Sequence, residues 1–211
     1  MPPRNKIILL CIGVVVIAGG AWYGLNSWET SNVEEILDLP DPSPEQITII
    51  VGALFHSDFN IAARAEEKLK ELGPKSLDPL VNYARDTGKD AKERVIAAQQ
   101  AMMIDPSATL PVFKELAADS DTSMRQYVAG TLLYPEWRDI EGVGELLCSF
   151  EYDEDLQILI TIADKLGTFP SEVTKATLER LSKHSDPDVS RHAARELRGQ
   201  AMRERAMRGR R

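Results

Sequence analysis

One aspartate recurs along this chain at an almost constant interval. The series is Asp58, Asp90, Asp121, Asp153 and Asp186, with steps of 32, 31, 32 and 33 residues. Each aspartate precedes a helix-forming run, where its carboxylate can accept hydrogen bonds from the free amides of the first turn and complement the helix dipole. A period of this length is typical of proteins built from stacked helical units. The series therefore predicts a tandem array of similar units.

A repeated tripeptide supports this register. Residues 56–58 and 184–186 both read His-Ser-Asp, and the two copies are 128 residues apart, which is four periods of 32. Pro187 follows the second copy at the first helical position, where proline is tolerated. We therefore expect the two histidines to be turn residues of equivalent units.

Each unit is predicted to contain two helices. The helix after the aspartate has small residues in its middle, and near its end an apolar residue is expected to fill the core, namely Leu72, Met103, Leu133, Leu166 or Leu197. A partner helix with apolar residues at helical spacing precedes it, often introduced by a proline, as at Pro44, Pro74, Pro106, Pro135 and Pro170. Five such hairpins in series predict an all-α solenoid.

The pattern of an aspartate, an arginine a few residues later, an Ala-rich helix and a Leu-Gly ending resembles the HEAT repeat, and specifically the PBS-lyase HEAT-like repeats. The resemblance covers residues 44–199 and implies a right-handed α-solenoid of about five hairpins. It also implies an inter-repeat ladder formed by Asp58, Arg64, Asp90, Arg94, Asp121, Arg125, Asp186 and Arg191. The fourth unit departs from the pattern, with Gln157 in the arginine place. Tetratricopeptide and ankyrin repeats remain minor alternatives, because their signature residues are absent.

The N-terminal region suggests a membrane segment. Residues 7–28 carry no charge and would form about 33 Å of helix, enough to cross a bilayer. Basic residues precede this segment and acidic ones follow it, which predicts a single-pass protein with residues 1–6 in the cytosol. An acidic, Pro-containing linker, residues 29–43, would lead to an extracytosolic repeat domain, periplasmic in a bacterium. A cleaved signal peptide is the alternative, and it exports the same domain.

Charge limits the partners. Residues 29–194 carry 31 acidic and 16 basic side chains, a balance that repels phosphate backbones. We therefore expect no nucleic-acid partner. The tail, residues 200–211, is rich in arginine instead, and its candidate contacts with an acidic partner or an anionic surface are Arg203, Arg205, Arg208, Arg210 and Arg211.

Signatures of catalysis are absent from the sequence: it has no Gly-rich phosphate loop, nucleophile elbow, zinc-protease motif or paired Cys-x-x-Cys. No cofactor or metal is expected, and Cys148 is expected to be a small core residue. The sequence favours a non-enzymatic, membrane-tethered scaffold or adaptor that binds an unidentified protein. A lyase-like or chromophore-handling enzyme, and an adaptor that docks to anionic surfaces through its tail, are the alternatives.

Overall fold

The computed structural model describes residues 32–169 and 172–208, and every regular element in these two ranges is helical. Within them, five helical hairpins follow one another in the order that the aspartate series predicts. The chain forms two compact units, Met1–Pro79 and Leu80–Arg211. The prediction of an all-helical repeat protein is confirmed.

The first unit contains the first hairpin. Its helices are α1 (residues 32–37), α2 (Pro44–Ala53) and α3 (Phe59–Leu72), followed by a 3-10 turn over Gly73–Ser76. The core between α2 and α3 includes Ile50, Val51 and Ile61, all buried. The described part of the predicted linker differs from the expectation, because Ile36 and Leu37 of α1 are also buried. Two apolar residues in one helical turn outweigh the acidic composition around them.

The second unit contains the other four hairpins. Their helices are α4 (Leu77–Arg85, which begins at the end of the first unit), α5 (Ala91–Ile104), α6 (Pro106–Ala117), α7 (Thr122–Leu132), α8 (Val143–Ser149), α9 (Leu156–Lys165), α10 (Glu172–Leu181) and α11 (Pro187–Arg208). The second helices of the hairpins, α5, α7, α9 and α11, contact one another in that order and form one layer. The first helices α6, α8 and α10 pack against that layer.

Aspartates cap the second helices as the sequence predicts. The carboxylates of Asp58, Asp90 and Asp121 each accept the backbone N–H two residues ahead, at 2.8 to 2.9 Å. Asp186 accepts the N–H groups two and three residues ahead, at 2.9 and 3.1 Å. Both His-Ser-Asp turns are built alike. In each, the histidine Nδ1 accepts the backbone N–H of the aspartate at 3.0 Å, so the repeated tripeptide is a repeated turn.

The fourth helical hairpin departs from the predicted aspartate series. Helix α9 is capped by Asp155, whose carboxylate accepts the N–H of Ile158 at 3.0 Å, and not by Asp153. The guanidinium of Arg125 binds Asp153, so this carboxylate connects the third hairpin to the fourth. Helix α9 therefore begins two residues later than expected.

The prediction of a single-pass membrane protein is corrected. Within residues 32–169 and 172–208, none of the helices combines the length and the apolar composition that crossing a bilayer requires. The segment on which the prediction rested, residues 7–28, lies outside the described residues, as do residues 1–6.

Candidate interaction surface

Counting from the capping aspartate places the helices of the layer in a common register. The residues seven and eight positions after the cap are Ala97 and Ala98 in α5, and Val128 and Ala129 in α7, all buried. The positions six, nine and ten residues after the cap lie on the opposite side of each helix, away from this core, as does position thirteen in α3, α5 and α11, which extend that far. These four positions therefore define the face of the layer that the first helices leave uncovered.

This face carries no charge on α5 and α7. Seven residues of this face, together with Tyr134 in the turn just after α7, form what we call the uncharged strip: Ile96, Gln99, Gln100, Met103, Tyr127, Gly130, Thr131 and Tyr134. Met103, Tyr127 and Tyr134 are 54%, 43% and 49% exposed. An uncharged surface with several exposed apolar side chains is a candidate binding surface.

The equivalent positions of the other second helices are polar or charged. All four are charged after the cap of α3, and half of them are charged after the caps of α9 and α11. The residues are Arg64, Glu67, Lys68 and Glu71 for α3; Thr161, Asp164, Lys165 and Thr168 for α9; and His192, Arg195, Glu196 and Gly199 for α11. The uncharged strip is therefore confined to two neighbouring helices of the second unit.

Met103 departs from its predicted role as a core residue. The buried position at the end of α5 is occupied by Met102, which is fully enclosed, and one residue further along a helix points about 100° away. The surface is also open at Gly130, because a Cβ added there would meet no atom within 4 Å. Tyr127 and Tyr134, which precede and follow Gly130 in the chain, are both exposed to solvent.

The ladder arginines do not bind the capping aspartates, whose carboxylates bond the backbone instead. Arg125 donates to both oxygens of Asp153 at 2.7 and 3.1 Å, and to the carbonyls of Asp119 and Ser120 at 3.1 Å. Burial raises the pKa of Asp153, but hydrogen bonds from Arg125 and from the N–H of Asp155, with the arginine charge, outweigh it and hold the pKa below its usual value. This pair ties α7 to the turn before α9.

The remaining ladder arginines differ from one another. Arg94 donates to the carbonyl of Ala84 at 2.9 Å and to Asp119 at 3.4 Å, so it also reaches the turn before the next second helix. Arg64 binds Asp38 at 2.6 Å within the first unit. Arg191 binds Asp188 of its own helix at 2.8 Å. Arg94 and Arg125 thus bind aspartates that were not named in the predicted ladder, Asp119 and Asp153, whereas Arg191 makes a pair within its own helix.

Helices α9 and α11 are joined by a cluster around Asp164. His192 Nδ1 lies 3.1 Å from the Asp164 carboxylate, and Arg195 binds the same oxygen. Burial raises the pKa of Asp164, and the hydrogen bonds and positive charges of its two partners outweigh that effect, so the pKa is lowered. This cluster could not be predicted from the sequence, because Asp164 lies in the last turn of α9, matches no motif, and meets partners 28 and 31 residues later in the chain.

The predicted tail begins inside a helix. Helix α11 continues without a break through position 200 to Arg208. Arg203 binds Glu196 at 2.6 Å and the carbonyl of Gly167 at 3.1 Å, while Arg205 is exposed. The side chain of Arg208, together with Arg210 and Arg211, lies outside the described part of the chain.

Cys148 is buried in the second unit, as predicted. Burial is the main cause that raises the pKa of its thiol, with nearby carboxylates adding to the effect. A thiol of this kind stays protonated and is a poor nucleophile or metal ligand.

No family model and no curated protein matches the sequence. Among solved structures, a designed armadillo repeat protein is 15% identical, with a TM-score of 0.46, over 80% of this chain and 98% of that chain. Computationally designed armadillo repeat proteins for modular peptide recognition are 16% identical, with a TM-score of 0.47, over 80% and 92% of the two chains. The description of stacked helical hairpins rests on this chain's own geometry.

Proposed function

We propose that this protein is a non-enzymatic interaction module that binds a segment of another protein on the uncharged strip of α5 and α7. Within helical repeat proteins, we assign it to the HEAT-like type, because an arginine four residues after the cap extends from Arg94 and from Arg125 to the turn before the next second helix. The partner remains to be identified.

The observation that carries the proposal is a group of exposed side chains with large apolar surfaces on two adjacent helices and in the turn that follows the second: Met103 of α5, Tyr127 of α7, and Tyr134 just after α7. Ile96, which is half-buried, stands in α5 at the position that Tyr127 occupies in α7. Tyrosine offers a large contact area with few rotatable bonds and a hydroxyl for hydrogen bonding, and is therefore enriched at binding hot spots. Gln99 and Gln100 add amide donors and acceptors that can pair with the backbone of a bound segment.

The experiment is a selection of random displayed peptides on the full-length protein, followed by affinity measurements on the selected sequences. We expect peptides with apolar or aromatic side chains, whose affinity falls at least about tenfold in a Tyr127→Ser, Tyr134→Ser double variant. Tyr152→Ser is the matched control, since this tyrosine is 81% exposed but lies in the turn before α9. Selected peptides that bind the double variant as tightly as the parent would refute the proposal.

A further inference from the structure

The flank of α11 offers a second surface, separate from the uncharged strip. The positions five, twelve and nineteen residues after the cap of α11 are Arg191, Arg198 and Arg205. They are spaced by seven residues, so the three side chains lie along one side of the helix, about 10 Å apart. All three are exposed.

In the second helices that precede α11, the same positions face the second helix of the next hairpin. In α7, Gln126 stands five residues after the cap, and its side chain donates to Asp155, the cap of α9, at 3.4 Å. After α9, Gly167 stands twelve residues after the cap, and a Cβ added there would lie 2.6 Å from the side chain of Glu196 in α11. In α5 these positions hold Val95 and Met102, both buried.

The arginines of α11 therefore occupy the side on which a following second helix stacks elsewhere in the layer. Among the described residues no helix covers them. Arg191 has a partner in Asp188 of its own helix, whereas Arg198 and Arg205 have no carboxylate partner among the described side chains. Among the described side chains, therefore, nothing compensates these two guanidinium groups, which lie on either side of Met202, itself 68% exposed.

We propose that this flank, which we call the arginine flank, binds an acidic helix of a partner protein that stacks on α11 as a further second helix would. Charge complementarity defines the occupant: a helix with carboxylates at seven-residue intervals places them opposite Arg191, Arg198 and Arg205. An apolar side chain between two of the carboxylates would contact Met202.

A protein helix fits this surface better than a nucleic acid does. Between Leu80 and Asp186 the second unit carries nineteen acidic and eleven basic side chains, so the arginine flank is a cationic island in an acidic surface. A phosphate polymer would be repelled as soon as it extended beyond α11, whereas a helix about as long as α11 stays on the flank.

Two fluorescent synthetic helices test the proposal by anisotropy on the full-length protein. One carries three glutamates spaced by seven residues on an Ala-, Gln- and Leu-containing background. The second has the same composition with the glutamates spaced by five, which distributes them around the helix. We expect the first to bind at least about tenfold more tightly at 50 mM salt, and to weaken at 300 mM salt because exposed charges are screened.

An Arg198→Gln, Arg205→Gln variant should lose about tenfold in affinity for the first helix. The matched control is Lys114→Gln, Lys183→Gln, which removes the same charge from exposed lysines of α6 and of the turn after α10 and should stay within about twofold. Equal binding of both helices, an unaffected arginine variant, no binding at all, or tighter binding of a single-stranded oligonucleotide would each overturn the proposal. The Tyr127→Ser, Tyr134→Ser variant should bind the glutamate helix normally, so failure at the arginine flank is distinguishable from failure at the uncharged strip.

Discussion

Replacing Arg125 by methionine tests whether the cross-unit pair with Asp153 stabilises the second unit. The Asp153 side chain is 5% exposed and the Arg125 side chain 17%, so the substitution leaves a nearly buried carboxylate without its counter-ion. Removing one partner of a buried pair costs about 3 to 5 kcal/mol. Because Arg125 is partly exposed and its two carbonyl partners can bond water instead, we expect a loss near the lower bound, about 3 kcal/mol in the free energy of unfolding.

The assay is urea unfolding followed by circular dichroism, with Arg85→Met as the matched control. Arg85 also makes a two-point pair, with Glu115 at 2.7 Å, but these side chains are 47% and 52% exposed, so its loss should cost under about 1 kcal/mol. Adding Asp153→Asn to Arg125→Met should restore part of the stability, because no buried charge remains. If Arg125→Met costs no more than Arg85→Met, the reasoning about burial is wrong.

Three further outcomes are expected. Burial raises the pKa values of Asp153 and Glu151, but hydrogen bonds outweigh it and lower both in the folded protein. The two carboxylates therefore stabilise the fold fully above their ordinary pKa values of 3.8 and 4.5, and this stabilisation is lost as the pH falls through the lowered values. Melting temperatures that stay constant from pH 5 to pH 3 would contradict this. Gly142→Ala should destabilise the second unit by about 1 to 3 kcal/mol, since φ is +88° and an added Cβ would lie 2.6 Å from Leu110, and unfolding in urea that matches the parent would show that the backbone can relax. The Cys148 thiol should react with a thiol reagent far more slowly in the native protein than in denaturant, and equal rates would mean that the site opens readily.

The helical architecture was predictable because its signals are local. A capping aspartate, a first-turn proline and the apolar spacing of a helix each act within a few residues, and their period reveals the array. The two His-Ser-Asp turns are the clearest case, since identical residues form an identical hydrogen bond 128 residues apart.

The candidate surfaces were less predictable, because they depend on which side of a helix is covered. Met102 and Met103 are adjacent and chemically identical, yet the first is buried and the second exposed. From the sequence, Met103 was predicted to be a core residue, because the sequence alone does not show which side of α5 is covered by neighbouring helices. Asp153 shows the same limit: a distant arginine, 28 residues earlier in the chain, engages the carboxylate that looked like a cap.

The ion pairs between neighbouring second helices differ in how exposed they are to solvent, and this difference determines how the second unit would respond to mechanical load. Helix α11 is bound to α9 through the ion pair between Arg195, whose side chain is 60% exposed, and Asp164. Helix α7 is bound to the turn before α9 through Arg125, whose side chain is only 17% exposed, and Asp153. A molecule stretched between its two ends would therefore not lengthen evenly. The exposed Arg195–Asp164 ion pair would exchange with water at low force, whereas the enclosed Arg125–Asp153 pair would hold until the tension was high enough to separate its two charges.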